Sequence, residues 1–309
     1  MLASVFNKSR PINHVIVGIA LVLVYFLHIF RSFDSENSTT FLFQKLGLLF
    51  VLLLSLFWVN FITQKNNLSE NNAYTMLFFL SFIILFPTAL GNSNIIMANF
   101  FILLALRRLI SLQSLIAPKQ KIFDACFWIF IAAIFHFWSI GFILLVYVSI
   151  VFHVSGDYKN WLIPFIALFG VGILLAMASL LFNQDYISHI IEQATTSFDF
   201  LYFDNLFQRI AVFFLGLLSV LFLFPYIGSL NNKSLKKKFA GRKIILSFLI
   251  GVAIYVLSDN KNNGVFMYSF FPLAVMGTSY LENQKKDWLK ELALITVVLI
   301  VIVLFVMQL

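Results

Sequence analysis

"KIFDACFWIFIAAIFHFWSIGFILLVYVSIVFHV", Lys121 to Val154, is the stretch on which the fold turns. It is apolar almost throughout and too long for one membrane crossing, which takes about 20 residues of helix. Its only soft point is "HFWSIG", His136 to Gly141, where polar residues and a glycine permit a tight hairpin. Splitting the run there predicts two short spans, 122–137 and 140–154. The split sets the side of the membrane on which every later loop lies.

Composition agrees with a membrane protein. The 309 residues are 61% hydrophobic and 11% charged, with a mean hydropathy of +0.96. A soluble domain is about 45–50% apolar and about 25% charged. Folding in water would leave far more apolar side chain than one core could hide, so a bilayer is the solvent that suits this chain. The single cysteine, Cys126, rules out an intrachain disulfide or a cysteine-based metal cluster and reads as a small buried apolar residue.

Working outward from 121–154, the apolar runs predict an all-α, polytopic membrane protein of about eleven transmembrane helices forming one domain over 1–309. The spans are near 12–31, 41–63, 74–90, 95–107, 122–137, 140–154, 161–182, 208–228, 243–258, 264–281 and 290–308. The basic start followed by Ile12 to Phe30, with no small-residue cleavage site, reads as a retained first span. Placing the N-terminus in the cytoplasm puts 17 of the 21 Lys and Arg on inner segments and only Arg31, Lys45, Arg209 and Lys261 outside. One misplaced early span would scramble that bias. The C-terminus is then outside. Seven of the thirteen acids, Asp34, Glu36, Asp185, Glu192, Asp199, Asp204 and Asp259, fall on the outer side. The net charge of +8 therefore sits on loops that meet an anionic inner leaflet, which speaks against nucleic acid as a partner and for the lipid bilayer.

Two segments suit the membrane surface. "RRLISLQSLIAPKQK", 107–121, carries Leu109, Leu112, Leu115 and Ile116 at helical spacing between basic ends, as an inner amphipathic helix would. The outer loop 183–209 interleaves Phe198, Phe200, Tyr202, Phe203 and Phe207 with acids. It suits an aromatic belt at the headgroups and equally a roof over a site. No internal repeat and no soluble domain stand out, and the phosphate-loop, dinucleotide, zinc-protease and nucleophile-elbow motifs are absent.

Four features could carry chemistry. Asp34 and Glu36, in "FDSENS" on the first outer loop, are spaced so that both reach one divalent cation, or one holds it while the other takes a proton. The same residues suit a solvated turn. His28, His136 and His189 fall on the outer side and could join Asp34 at a metal, or serve as interfacial rings. His14 and His153 fall near the inner side. The cluster "SLKKKFAGRK", with Lys236, Lys237 and Lys238, reads as a topology anchor or as a lipid-phosphate site. Finally, "SDNKNNGVFMYSFFPLAVMGTSYLE", 258–282, leads a polar outer turn into a span that Pro272 would kink, opening a groove.

Through "NKSRPINHVIVGIAL" and "FPTALGNSNIIMANFFILLALRRLISLQ" the chain resembles a group of uncharacterised multi-pass inner-membrane proteins common in Bacteroidota. Its layout also resembles polytopic glycosyltransferases of the C-type fold and, more loosely, polysaccharide polymerases. The acid pair in the first outer loop, the short span "ANFFILLALRRL" running into basic residues, and "VFMYSFFPLAVMGTSYL" carry that likeness. It implies a polyprenyl-linked sugar at the outer leaflet, with Asp34 as the base on the acceptor and Glu36, with or without a divalent cation, at the leaving phosphate. Asp199, Asp204 and His136 would then contact substrate, and Lys236 to Lys238 a lipid phosphate. A faint similarity of "IFHFWSIGF" to membrane carotenoid-cleaving oxygenases makes a minor alternative. The expectation is an inner-membrane protein of cell-envelope assembly, glycosyltransferase-like if an enzyme. A lipid or solute transporter and a non-catalytic subunit of an envelope complex remain the rival classes.

Overall fold

The computed structural model describes residues 2–31, 39–182, 186–200, 205–259 and 261–308. The chain folds into α1 (Leu2–Phe6), α2 (Pro11–Arg31), α3 (Thr39–Lys65), α4 (Tyr74–Leu85), α5 (Pro87–Gly91), α6 (Ser93–Ser111) and α7 (Pro118–Phe135). It continues through α8 (Ile143–His153), α9 (Lys159–Phe182), α10 (Tyr186–Glu192), α11 (Leu206–Leu230), α12 (Leu235–Leu257), α13 (Met267–Asn283) and α14 (Asp287–Gln308). Single turns of 3-10 helix lie at Leu112–Ser114, Phe137–Phe142 and Asn263–Phe266. No β-strand occurs among the described residues. The protein is an all-α polytopic membrane protein, as its composition requires.

Eight of these helices are long and apolar enough to cross a bilayer: α2, α3, α6, α9, α11, α12, α13 with its leading turn, and α14. The three other predicted spans fall on shorter or more charged segments. Tyr74–Leu85 is interrupted at Phe86 before α5, α7 carries Lys119, Lys121 and Asp124, and Phe137–His153 opens with a 3-10 turn. The run 121–154 divides where the sequence predicts, since His136 adopts an extended conformation (φ −147°, ψ 105°) that ends α7. The segment 107–121 differs from expectation. It is not a separate amphipathic helix but the end of α6, one 3-10 turn, and the start of α7. Leu115 and Ala117 take left-handed conformations (φ 56° and 45°), and Pro118 at the first turn restarts the helix. Leu109 and Leu112 are buried there, while Leu115 and Ile116 are exposed.

Local chemistry sets the helix ends. Asn92 caps α6 by accepting the Ile95 N–H at 3.2 Å, and Asn205 caps α11 by accepting that of Phe207 at 3.0 Å. α3 closes on Asn67 (φ 50°), with Leu68 N–H donating to the Thr63 carbonyl and Asn67 N–H to that of Gln64. These are the paired bonds of a Schellman cap, with Leu68 packed inward.

α13 is the axis of the bundle. In its span, 94% of the apolar window is buried, against 11% for α9, which lies on the rim against α7. α4 packs beside α13, and α12, α11, α14, α3 and α6 surround the pair. The interior is a ladder of rings: Tyr280–Phe222, Phe222–Phe78, Phe78–Phe82, Phe82–Phe270, Phe270–Phe86 and Phe86–Phe266, with centroids 5.4 to 6.2 Å apart. Such contacts suit aromatic quadrupoles and fill volume densely. Some of the polar side chains inside are satisfied within the bundle. Thr75 and Thr278 meet at 3.0 Å, and Ser81 and Ser149 bond carbonyls one turn back.

The two ends of the bundle differ. One gathers the basic linkers: Ser9 N–H donates to the Asn71 carbonyl, Ala3 N–H to Glu291, Asn72 to Glu282, and Lys119 pairs with Asp157 at 2.9 Å. At the opposite end the chain brings 85–95, 135–140, 193–200, 257–259 and 261–266 together.

Candidate functional site

The opposite end holds a cavity of about 290 Å³ lined by Asn92, Asn94, His136, Trp138, Gln193 and Asp259, among others. The lining residues sit at or beside the ends of helices. His136 ends α7, with its N–H bonded to the Ala132 carbonyl at 3.0 Å. Asn92 is the cap of α6, and Asp259 follows Ser258, which ends α12. Asn262, also on the wall, folds the next turn by accepting the Gly264 N–H at 2.8 Å. His136 is backed by rings in the bundle: the buried Tyr268 ring lies 5.6 Å from it, and Phe142 packs 6.1 Å from Tyr268.

The described part of the 183–209 loop closes over this cavity. Phe137 N–H donates to Gln193 Oε1 at 3.4 Å, and Trp138 Nε1 to the Thr195 carbonyl at 3.1 Å. Thr195 Oγ1 donates to Asp259 Oδ2 at 2.8 Å, and Thr196 and Ser258 form an isolated antiparallel bridge. Lys261 fastens the roof from below. Its ammonium donates to the carbonyls of Ser258 and Ser197 and lies 4.9 Å from the Phe200 ring centroid. Lys261 is buried, so its charge is neutralised by carbonyl dipoles and a ring face rather than by water. Within the walls, His136 Nδ1 is buried without a hydrogen-bond partner among the described residues. A nitrogen there can accept from, or donate to, a polar group that enters the cavity.

The sequence matches, over residues 6–309, a family described as a family of unknown function, DUF6427. The chain belongs to the DUF6427 family. No curated protein and no solved structure matches it.

In this DUF6427 member the predicted site residues divide among three places. His136 lines the roofed cavity. Asp199 lies on the exposed part of the roof, its N–H bonded to Ser197 Oγ at 3.1 Å, and does not line the cavity. Asp34, Glu36 and Asp204 lie outside the described residues, so their predicted roles are not placed. Lys237 lines a separate cavity at the basic end, while Lys236 is exposed and Lys238 half-buried beside it.

The histidines at the basic end have structural partners. His14 contacts Ser9 Oγ at 3.1 Å and Met76 Sδ at 2.9 Å, and His153 Nε2 lies 3.1 Å from Lys243 Nζ. Among the described residues no three of His, Cys, Asp or Glu gather as metal ligands. Sequence reasoning missed Asn92, Asn94 and Gln193 as wall residues. "GNSN", 91–94, is a four-residue polar island between apolar runs and was the signal available for two of them. Gln193 had none, because it reaches the cavity only through the fold of the roof.

Proposed function

We propose that this DUF6427 member is an inner-membrane protein of cell-envelope assembly whose His136 cavity takes the polar head of a lipid-linked sugar at the outer leaflet. In the same reading its N-terminus is cytoplasmic, its C-terminus is outside, and the basic end faces the inner leaflet. One observation carries the reading: a polar, roofed cavity with an unpartnered His136 Nδ1 stands at the end of a bundle whose axis is packed with rings. Side-chain amides beside Trp138 suit hydroxyl-rich ligands, which offer donors and acceptors around an apolar ring face. The aromatic packing along α4 and α13 favours a site at one face over a polar path through the midplane.

The chemistry that fits is glycosyl transfer. The acceptor hydroxyl oxygen bonds the sugar's anomeric carbon, the bond from that carbon to the lipid phosphate breaks, and the phosphate leaves with the bond's electron pair. A base takes the acceptor proton. Asp34 is that base in the reading drawn from sequence, and Glu36 meets the leaving phosphate, while His136, Asn92 and Asn94 hold the sugar.

The test is the lipid that accompanies the full chain when it is extracted with its native membrane and analysed by mass spectrometry. A saccharide-bearing lipid is expected with the natural protein, depleted about tenfold in His136→Ala and Asn94→Leu, in line with the loss of one or two hydrogen bonds to a buried ligand. Asp34→Ala and Glu36→Ala are expected to retain the lipid and to abolish transfer of its sugar. A lipid profile without sugar, or one unchanged in the His136 and Asn94 variants, overturns the reading.

A further inference from the structure

The basic end carries a second cavity, of about 480 Å³, that the reading above does not use. It lies among the end of α3, the 66–71 turn, the ends of α11 and α13, and the first turns of α12. That volume falls within the range of small-molecule sites, about 300–1,000 Å³. Its wall is polar: Gln64, Asn66, Asn67, Asn71 and Asn283 bring amides, and Ser69 and Ser279 bring hydroxyls.

Four charged residues line it, Lys233, Lys237, Glu70 and Glu282. Glu282 is already engaged by protein, since its Oε1 accepts from Glu70 N–H at 2.8 Å and Asn72 Nδ2 at 2.6 Å. The lysines are not so engaged. Among the described residues the ion pairs are Arg108–Asp124, Lys119–Asp157 and Lys290–Asp287, and none includes Lys233 or Lys237. Lys233 is half-buried, its ammonium 5.2 Å from the ring centroid of Tyr226, a residue that is itself buried at the base of the cavity. Burial lowers the Lys233 pKa, with Lys237 adding to the effect and Glu282 opposing it. α12 begins between the two lysines without a side-chain cap, so the positive end of its dipole lies close to both of them in the chain.

The walls are built to hold this shape. Asn66 Nδ2 bonds the Ile62 carbonyl at 2.8 Å, Gln64 Nε2 bonds that of Asn72 at 2.9 Å, and the Schellman cap at Asn67 fixes the turn. At the side, α11 and α12 are in such close contact that a Cβ on Gly241 would overlap Leu230. A preformed cavity with two unpaired cations, a helix start and surrounding amides recognises an anion that also carries hydroxyl groups.

We infer that this cavity binds a phosphate ester bearing hydroxyls, of the glycerophosphoryl type, with Lys233 and Lys237 on the phosphate and the amides on the hydroxyls. The group reaches it either as a water-borne phosphate ester or as the headgroup of a phospholipid. The inference is independent of the His136 cavity.

Thermal unfolding of the full chain in nanodiscs separates the two sources. In phosphatidylcholine discs, glycerol 3-phosphate raises the unfolding midpoint saturably if the ligand is water-borne. If it is a headgroup, discs containing phosphatidylglycerol raise the midpoint without added ligand. Lys233→Gln with Lys237→Gln raises the half-saturating concentration, or the phosphatidylglycerol fraction needed, by about tenfold or more. The corresponding arginine pair restores binding. Lys285→Gln with Lys286→Gln, equally basic and off the cavity wall, leaves it unchanged. Elution volume and helical circular dichroism establish that each variant is folded. No shift in either arm overturns the inference. So does a Lys233/Lys237 double variant that responds like the natural protein, or a Lys285/Lys286 control that loses binding as fully.

Discussion

Lys243 is a single residue that decides how two helices end. It lies on α12 with 1% of its surface exposed, and its ammonium donates to the Leu109 carbonyl at 2.6 Å beside His153. Lys121 does the same two residues on, donating to the Ser111 carbonyl at 2.9 Å. The last carbonyls of α6 lack i+4 partners and carry the negative end of its dipole; the Leu112 N–H reaches those of Leu109 and Ile110, and the two ammonium groups add the hydrogen bonds that a continuing helix would have made. Lys243→Met keeps the bulk and removes the donor. It is expected to lower the stability of the detergent-solubilised protein by about 1–3 kcal/mol, the worth of a buried hydrogen bond from a lysine side chain. A thermal midpoint equal to that of the natural protein would contradict this role. In the sequence Lys243 is indistinguishable from Lys236, Lys237 and Lys238, and all four read as one basic cluster. What separates them is the direction each side chain takes from α12, which no local pattern encodes. His136 was legible because it stands alone at the break in a long apolar run. Asn92 drew no notice because a helix-capping asparagine is ordinary until its neighbours are known.

At the scale of elements, α12 and α13 show how a proline is absorbed. Pro272 has no N–H for the Tyr268 carbonyl four residues back. At that place α12 presents Gly251, and a Cβ there would lie 3.1 Å from Tyr268 C and Ser269 N. The two backbones touch because no side chain separates them, as small residues allow in membrane bundles. The sequence suggested that Pro272 would open a groove. The structure instead buries Pro272, with Phe82 of α4 and Phe86 just past its end against Phe270 on the same helix, and α12 packed beside it. Gly251→Val is expected to lower the unfolding midpoint, by about 1–3 kcal/mol of overpacking, since backbone atoms cannot rotate away. Gly216→Ala on α11, where nothing lies within 4 Å of the new Cβ, is the control and should leave the midpoint level or slightly raised. Equal losses in both would dismiss close packing as the cause. The roof teaches the same lesson from the other direction. Its aromatics and acids were visible in 183–209, but its attachment to Asp259, Lys261 and Trp138 joins residues about 60 positions apart.

For the whole molecule, the orientation read from Lys and Arg makes a direct prediction. Cys126 is buried and is the only cysteine, so Cys126→Ala gives a background for single-cysteine labelling in intact cells. A cysteine at Ser197 on the roof should react with an impermeant maleimide, whereas one at Ser69 on the 66–71 turn should react only after permeabilisation. The reverse pattern would invert the bundle and move the His136 cavity to the cytoplasmic side.

That the chain is helical and membrane-embedded, that 121–154 folds back at His136, and that basic and polar linkers alternate along it are all legible in the amino-acid order. Those follow from local quantities: apolar run length, breaks and charge. Which helix is central is set by packing and is not visible in those quantities. The least hydropathic of the eight spans, 263–283, is the most buried, while the strongly apolar α9 and α14 lie outside, with 11% and 28% of their windows buried. Hydropathy measures aversion to water, and lipid and protein neighbours satisfy it equally. Thr278 on α13 meets Thr75 on α4, a partner that lipid lacks, and Gly251 lets α12 approach the α13 backbone, so this helix goes to the middle and the greasiest helices face the bilayer.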